Sequence, residues 1–276
     1  MSESQDAPVV LVHGILGFSA ITIGDVKVGD YFRLIPDALR QDGHVVPKPP
    51  QTNRAGTAAD RAETLKNYLL DPNRMEVFGK KVHLVAHSMG GLDSRVMISQ
   101  LGMADRVLSL TTIATPHHGS PVANAVVKAT EPGLPEFLGR LGIDVNGTRD
   151  LTTEACAQRN LEVADAPGVA YFSIAGQYQP RKQFILFGKS RGLLGPLHDL
   201  IARDEGANDG LVSVKSATMA RSAWTHLDTW NVNHFRQVNW GANLIPTPDE
   251  ANDRTVVDKY RALVAQIKQL VAARSN

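Results

Sequence analysis

Residues 82–92 constrain the fold of this chain of 276 residues most strongly; they read Val-His-Leu-Val-Ala-His-Ser-Met-Gly-Gly-Leu. Apolar and β-branched residues lead into Ser88, which has small residues around it, and a helix-compatible segment follows. This pattern is typical of a G-x-S-x-G nucleophile elbow, with Ala86 at the first small position. It predicts a strand, a sharp turn and a helix. Ser88 would project its hydroxyl from the turn, and the backbone N–H of Met89 would face a developing oxyanion.

The rest of the sequence alternates short apolar segments with amphipathic ones. This alternation predicts an α/β fold with a mainly parallel central sheet and helices on both faces. Strands are expected at residues 8–12, from 45 onwards, at 106–114 and at 169–175. Helices are expected at residues 31–41, after a capping signal at 57–60, and from Asp253 towards the C-terminus. The length fits one domain over residues 1–276.

The alternation breaks at about residues 120–150, where an insertion is expected. Apolar residues between Leu134 and Leu141 fall on one helical face, and helix breakers flank them. The segment is either an ordinary amphipathic helix on the core or a helical lid that swings over the active site. Residues 183–201 are apolar and glycine-rich, which makes them candidates for the wall of an apolar substrate pocket.

Charge and cysteine content argue against several classes of function. A formal net charge of +1 argues against nucleic-acid binding, which needs clustered Lys and Arg. Cys156 is the only cysteine, so neither an internal disulfide nor a metal-binding cysteine pair is expected. No apolar run approaches the length of a membrane-spanning helix, and the polar N-terminus does not resemble a signal peptide. The compartment stays open, since these features fit an intracellular protein and also a secreted one without its leader.

Three residues occur in the order nucleophile, acid, histidine that is expected of an α/β-hydrolase: Ser88, Asp209 and His234. A free serine hydroxyl is a poor nucleophile at neutral pH, so it needs a base. His234 would take the proton of Ser88 during attack and return it to the leaving alcohol, while Asp209 would hold the correct imidazole tautomer.

Other residues compete for the roles of acid and base. Asp204 and Asp228 are alternatives for the acid, but Asp209 lies in a glycine turn just before a predicted apolar strand. His226 is the competing base, and the turn around His234 favours the latter.

The loop after the first predicted strand supplies the second oxyanion donor. We assign one donor to the N–H of Ile15 and the other to the N–H of Met89. His13 is expected to brace this loop rather than to take part in the chemistry. His117 and His118 are likewise expected to brace their loop, because no HExxH pattern or neighbouring carboxylate supports a metal site.

Several segments resemble the true bacterial lipases of the Pseudomonas, Burkholderia and Proteus type, and also related fungal triacylglycerol lipases. They occur in the same order over most of the chain, at residues 13–18, 38–44, 86–91, 116–120, 208–212 and 233–239. The resemblance implies an α/β-hydrolase fold, hydrolysis of acylglycerols at an oil–water interface, and a helical lid after the 117–118 loop. It also implies the triad and oxyanion donors given above.

Two departures from those lipases stand out. The bacterial enzymes carry a structural calcium, with an aspartate two residues after the catalytic histidine and a glutamine four residues further on. Here these positions hold Arg236 and Trp240. Arginine cannot ligate calcium and would repel it, so this site is predicted to be absent and no cofactor is expected. Arg236 is expected to tie down the histidine loop through a carboxylate. The single cysteine also means that the disulfide of the Pseudomonas and Burkholderia enzymes is missing, as in the Proteus type.

The leading hypothesis is therefore a carboxylic ester hydrolase, a triacylglycerol lipase that forms an acyl-enzyme. Its partner would be an acyl ester or acylglycerol substrate at a lipid–water interface, with no nucleic acid and no integral membrane segment. The alternatives within this class are a short-chain carboxylesterase and a hydrolase of aliphatic polyesters. The alternative from another class is a catalytically silent hydrolase-fold protein that binds a lipid or a partner. Intact candidates for all triad roles argue against it.

Overall fold

The computed structural model describes residues 3–15, 20–23, 26–53, 56–128, 145–180, 183–185, 188–190, 194–240 and 250–274. Its central sheet has five strands, all paired in parallel. In spatial order they are β1 (Val9–Val12), β4 (Val82–His87), β5 (Val107–Ile113), β6 (Ala170–Gly176) and β9 (Trp224–Trp230). Two antiparallel pairs lie outside this sheet: β2 (Ala20–Ile23) with β3 (Val26–Asp30), and β7 (Gln183–Ile185) with β8 (Gly188–Ser190).

The α-helices of the described residues connect or flank these strands. They are α1 (Glu3–Asp6), α2 (Ile35–Gln41), α3 (Ala58–Leu70), α4 (Gly90–Gln100), α5 (Pro121–Lys128), α6 (Val145–Thr148), α7 (Thr153–Glu162), α8 (Gly195–Asp204), α9 (Val214–Ala217) and α10 (Glu250–Arg274). No helix in this part of the chain is long and apolar enough to cross a lipid bilayer.

Strand β1 shows that the sheet is covered on both faces. Val9 and Leu11 pack into one hydrophobic core, whereas Val10 and Val12 pack into another. This is the expected consequence of side chains that alternate along a strand. The first core includes residues of α2, α5, α8 and α10, and the second includes residues of α3 and α4. The predicted parallel sheet with helices on both faces is therefore confirmed.

Two sequence predictions about the segment that follows β3 are wrong. No strand forms from Val45, because prolines follow at 47, 49 and 50 and supply no N–H to a ladder. The Val45 carbonyl accepts a single bond from the N–H of Val9, at 2.9 Å. The helix expected from residue 31 begins only at Ile35, because the backbone of Arg33 is tied to the segment around His234. Its N–H donates to the Val238 carbonyl at 3.2 Å.

The remaining predictions have mixed outcomes. Thr57 and Asp60 form the predicted capping box at the start of α3. The long C-terminal helix begins at Glu250. The helix expected between 134 and 141 lies outside the described residues, and so does most of the lid insertion expected at about 120–150.

Candidate active site

Ser88 occupies the turn between β4 and α4 and has a left-handed backbone, with φ of 56°. Such a conformation costs a non-glycine residue about 1–2 kcal/mol, so its surroundings must hold it. The Ser88 N–H donates to the Ile113 carbonyl at 2.9 Å, and the Ser88 carbonyl accepts from the Thr115 hydroxyl at 2.7 Å. The N-terminus of α4 follows at once and contributes a positive potential. This is the geometry that the elbow motif predicts.

The loop after β1 lies directly against Ser88. A Cβ atom at Gly14 would come within 2.6 Å of Ser88 Cβ, so only glycine fits there. The Gly14 carbonyl accepts from Arg61 Nη2 at 3.2 Å and from His13 Nδ1 at 3.0 Å. In a trans peptide the N–H of the next residue points opposite to the carbonyl. Holding this carbonyl therefore directs the N–H of Ile15 away from Arg61.

A buried ion pair holds the arginine that binds the loop after β1. Arg61 Nε lies 2.8 Å from Asp93 Oδ2, and both side chains are fully buried. Burial raises the pKa of Asp93 to about 7, although Arg61 acts in the opposite direction. Burial and the charge of Arg61 lower the pKa of His13 to about 4. His13 is therefore neutral, and its Nε2 accepts the N–H of Thr52 at 3.2 Å. It braces the loop, as the sequence analysis predicts.

Asp209 and His234 are brought together in the folded chain. The Nδ1–H of His234 donates to Asp209 Oδ2 at 2.8 Å, and the His234 N–H donates to the Asp209 carbonyl at 3.0 Å. Asp209 Oδ1 accepts the N–H groups of Leu211 at 3.0 Å and Val212 at 2.8 Å. These bonds make residues 209–212 a closed turn. The strand predicted directly after Asp209 does not form, because its first N–H groups bind the carboxylate instead.

His87 packs against the imidazole of His234, with ring centroids 4.5 Å apart. Burial, and then the proximity of His234, lower the pKa of His87 well below its ordinary value. His87 therefore stays neutral and adds no repelling charge when His234 takes up a proton.

Ser88 and His234 line the same cleft, whose empty space amounts to about 550 Å³ including the part that is open to solvent. Its other walls come from the loop after β1, from both ends of the expected insertion and from the turn after Asp209. These lining residues are Ile15, Tyr31, Pro116, Ser120, Val122, Ala123, Thr148, Leu151, Leu211 and Val212. The lining is mainly apolar, which suits a hydrocarbon chain. Of the pocket wall predicted at 183–201, Leu194 and Leu197 pack into the core. The side chains of 183–193 lie outside the described part.

The competing acids and base lie elsewhere. Asp204 and Asp228 are exposed, and so is His226. His226 lies on β9 and is hydrogen-bonded to the hydroxyls of Ser173 and Thr229, each at 3.1 Å. None of the three lines the cleft.

The paired histidines belong to the loop after β5. His117 is buried, with Nε2 at 3.0 Å from the Thr112 hydroxyl, and its carbonyl accepts from Asn160 at 2.8 Å. These contacts fit the predicted bracing role. Within the described ranges, no three His, Cys, Asp or Glu residues are grouped so that they could hold a metal ion.

Arg236 and Trp240 do not fit the calcium site of the resembled lipases. The Trp240 indole is buried, and its N–H donates to the Tyr31 carbonyl at 3.0 Å. A guanidinium and an indole offer donors where calcium needs oxygen acceptors. Trp240 instead anchors the histidine loop to the segment before α2.

Sequence reasoning missed Arg61, Tyr31 and Gln237. Gln237 is buried and donates to Asp209 Oδ2 at 2.9 Å. Arg61 was missed because its position after the capping signal predicts only that it lies in a helix. Gln237 follows His234 by one helical turn, which is the only local signal that could have drawn attention to it.

The chain is similar to proteins that are named triacylglycerol lipases. The chain is 38% identical over 270 residues to a triacylglycerol lipase of Vibrio cholerae, covering 84% of this chain and 79% of that protein. It is 34% identical over 169 residues to triacylglycerol lipase 2 of Saccharomyces cerevisiae, covering 59% of this chain; the match spans 47% of the yeast protein, about half its length. Residues 63–130 match the model of the PGAP1-like alpha/beta domain.

A solved structure shows the same fold. The mature lipase BlEst2 of Bacillus licheniformis superposes with a TM-score of 0.64 at 22% identity, covering 91% of this chain and 92% of that one. At this identity the likeness speaks for the fold alone.

Proposed function

Because the chain belongs to the family of bacterial triacylglycerol lipases, which are carboxylic ester hydrolases of α/β-hydrolase fold, we propose that it hydrolyses acylglycerols through Ser88, His234 and Asp209. One observation carries this proposal. His234 is bound to Asp209 at 2.8 Å and lines the same cleft as Ser88. A candidate nucleophile and a candidate base thus line one apolar cleft, and a buried acid is bound to the base.

The first half of the reaction acylates Ser88. Its hydroxyl oxygen attacks the ester carbonyl carbon while His234 Nε2 takes the hydroxyl proton. The backbone N–H groups of Ile15 and Met89 stabilise the oxyanion that forms. His234 then returns the proton to the alcohol oxygen as the carbon–oxygen bond breaks, which releases the alcohol and leaves an acyl ester on Ser88.

The second half regenerates the enzyme. A water molecule gives a proton to His234 Nε2 and attacks the acyl carbonyl carbon. Collapse of the second tetrahedral intermediate breaks the bond to Ser88, which recovers its proton from His234, and the fatty acid leaves. Asp209 holds Nδ1–H throughout, so Nε2 always faces the reacting atoms.

The apolar cleft supports a lipase rather than an enzyme for small polar esters. An acyl chain along Val122, Ala123 and Leu151 gains about 0.8 kcal/mol for each CH₂ it buries. Activity should therefore rise with acyl length until the chain outgrows the cleft. We also propose that calcium is not needed, since Arg236 and Trp240 replace the ligands of the resembled enzymes.

The test is a series of p-nitrophenyl esters from acetate to palmitate, together with emulsified triacylglycerol, assayed in excess EDTA. Ser88→Ala should lower kcat by roughly 10⁴- to 10⁶-fold with the fold intact, because nucleophile and base act as a unit. Ser109→Ala is the matched control, because it removes a buried serine hydroxyl outside the cleft.

Three outcomes would overturn parts of the proposal. Equal activity of wild type and Ser88→Ala would refute the triad. Activity confined to acetate and butyrate would make the protein a short-chain esterase. Loss of activity or stability on chelation would refute independence from calcium.

A further inference from the structure

The carboxylate of Asp209 has a second side-chain partner besides His234. Gln237 Nε2 lies 2.9 Å from Asp209 Oδ2, and Gln237 Oε1 lies 3.2 Å from Nε2 of His87. Asp209 and Gln237 are fully buried, and His87 is 1% exposed. These bonds are therefore shielded from bulk solvent.

The same chain of bonds continues to the loop after β1. His87 Nδ1 lies 2.7 Å from the hydroxyl oxygen of Tyr31, and that oxygen accepts the N–H of Gly14 at 3.1 Å. Gly14 directly precedes Ile15, the proposed oxyanion donor. The hydrogen bonds thus join the proposed acid of the triad to the peptide beside the oxyanion hole.

The direction of every bond in this chain follows from its two ends. A carboxylate only accepts, so Gln237 must turn its amide N–H to Asp209 and its oxygen to His87. That oxygen only accepts, so His87 carries its proton on Nε2. His87 is neutral, which leaves Nδ1 as an acceptor for the hydroxyl of Tyr31. The Tyr31 oxygen is then free to accept from Gly14, as observed.

We infer that Gln237 is a positioning residue of the hydrolase reaction, an inference that rests on the function proposed above. It fixes the Asp209 carboxylate that orients His234. Through His87 and Tyr31 it also ties that carboxylate to the peptide next to Ile15. One network thereby holds both the base and an oxyanion donor.

Gly176, at the end of β6, makes room for this arrangement. A Cβ atom there would collide with Gln237 Nε2 and would lie 3.0 Å from Asp209 Cβ. A side chain at 176 would therefore push the Gln237 amide off the carboxylate.

The main test is Gln237→Met, which keeps the length of the side chain and removes both hydrogen bonds. Hydrogen bonds to charged groups are strong, so we expect kcat for p-nitrophenyl butyrate to fall by about 10- to 100-fold. KM should change by less than about twofold, because Gln237 does not line the cleft. Asn160→Leu is the matched control, since it removes an amide bonded to Arg95 and to the His117 carbonyl. It should lower thermal stability without lowering kcat.

A double-mutant cycle tests whether the hydrogen bonds from Gln237 to Tyr31 act as one unit. Tyr31→Phe keeps the ring and removes the hydroxyl that binds His87, while the side chain of Gln237 is left unchanged. If the two residues acted independently, their effects on kcat would multiply. We expect the double variant to lose little more than Gln237→Met alone, since that substitution has already broken the chain. Multiplicative effects, or a Gln237→Met enzyme with wild-type kcat, would overturn the inference.

A readout without catalysis separates this inference from the proposed function. Nitrogen-15 NMR of the wild-type protein should show His87 protonated on Nε2 and not on Nδ1. The opposite tautomer would refute the proposed series of hydrogen bonds even in an active enzyme. This measurement also tests the inference if Gln237→Met does not fold. A wild-type protein that has this tautomer but hydrolyses no ester would refute the proposed function and leave the network standing.

Discussion

The most informative single substitution is Asp209→Asn, because it changes one oxygen to an NH₂ group and little else. The native carboxylate accepts bonds from four N–H groups: Leu211 and Val212 on Oδ1, and His234 and Gln237 on Oδ2. The two backbone N–H groups cannot turn away. The asparagine oxygen must therefore stay with them, and its NH₂ group must face His234 and Gln237.

This orientation removes the base. Two donors cannot face each other, so His234 would switch to the tautomer that accepts on Nδ1 and carries its proton on Nε2. A protonated Nε2 cannot take the proton of Ser88. The loss known for the wrong tautomer in a serine triad is about 10⁴-fold in kcat, equivalent to roughly 5.5 kcal/mol. Gln237 would also have to turn its oxygen towards residue 209, which would set its NH₂ against the Nε2–H of His87.

The assay is the kcat and KM of purified variants with p-nitrophenyl butyrate, alongside the rate of labelling by a fluorophosphonate. Labelling should slow together with kcat, because both need an activated Ser88. Asp228→Asn is the control, since it changes an exposed carboxylate on β9 in the same chemical way. A loss of less than about tenfold for Asp209→Asn, or a larger loss for Asp228→Asn, would refute the tautomer argument.

Three further predictions concern other parts of the molecule. His226→Ala should leave kcat within about twofold, because His226 is exposed on an edge strand; a loss as large as that of His234→Ala would reassign the base. Arg61→Met leaves the buried carboxylate of Asp93 without its partner, so the free energy of unfolding in urea should fall by about 3–5 kcal/mol, and no change would contradict the role of the pair. His83 is buried with a pKa lowered from 6.5 to about 4, so the unfolded chain binds its proton first as the pH falls. That proton should cost about 3 kcal/mol of stability between pH 6.5 and 4, and His83→Gln should flatten this part of the stability profile; an unchanged slope would argue against a neutral, buried His83.

The parts of the site that sequence reasoning identified are those with local signals. Ser88 lies in a turn whose neighbours must be small, and Asp209 lies in a turn that its own side chain closes. The expected parallel sheet follows equally from local apolar runs. Of the three errors in local structure, the strand expected from Val45 and the helix expected from residue 31 came from overlooking lost hydrogen-bond donors and non-local bonds. Prolines after Val45 remove hydrogen-bond donors, and the bond from the Arg33 N–H to the Val238 carbonyl joins residues that are far apart in the sequence.

The residues that sequence reasoning missed depend on partners far away in the chain. The bond between His87 and Gln237 spans 150 positions, and that between Tyr31 and His87 spans 56. No periodicity marks such a pair, because a buried polar residue has the same local pattern whatever its partner is. These bonds also constrain one another, since reversing one donor would reverse the next. A network of this kind is stable only when every member is satisfied. It follows that a single substitution at one of these residues, which are far apart in the sequence, should disturb several hydrogen bonds of the site at once.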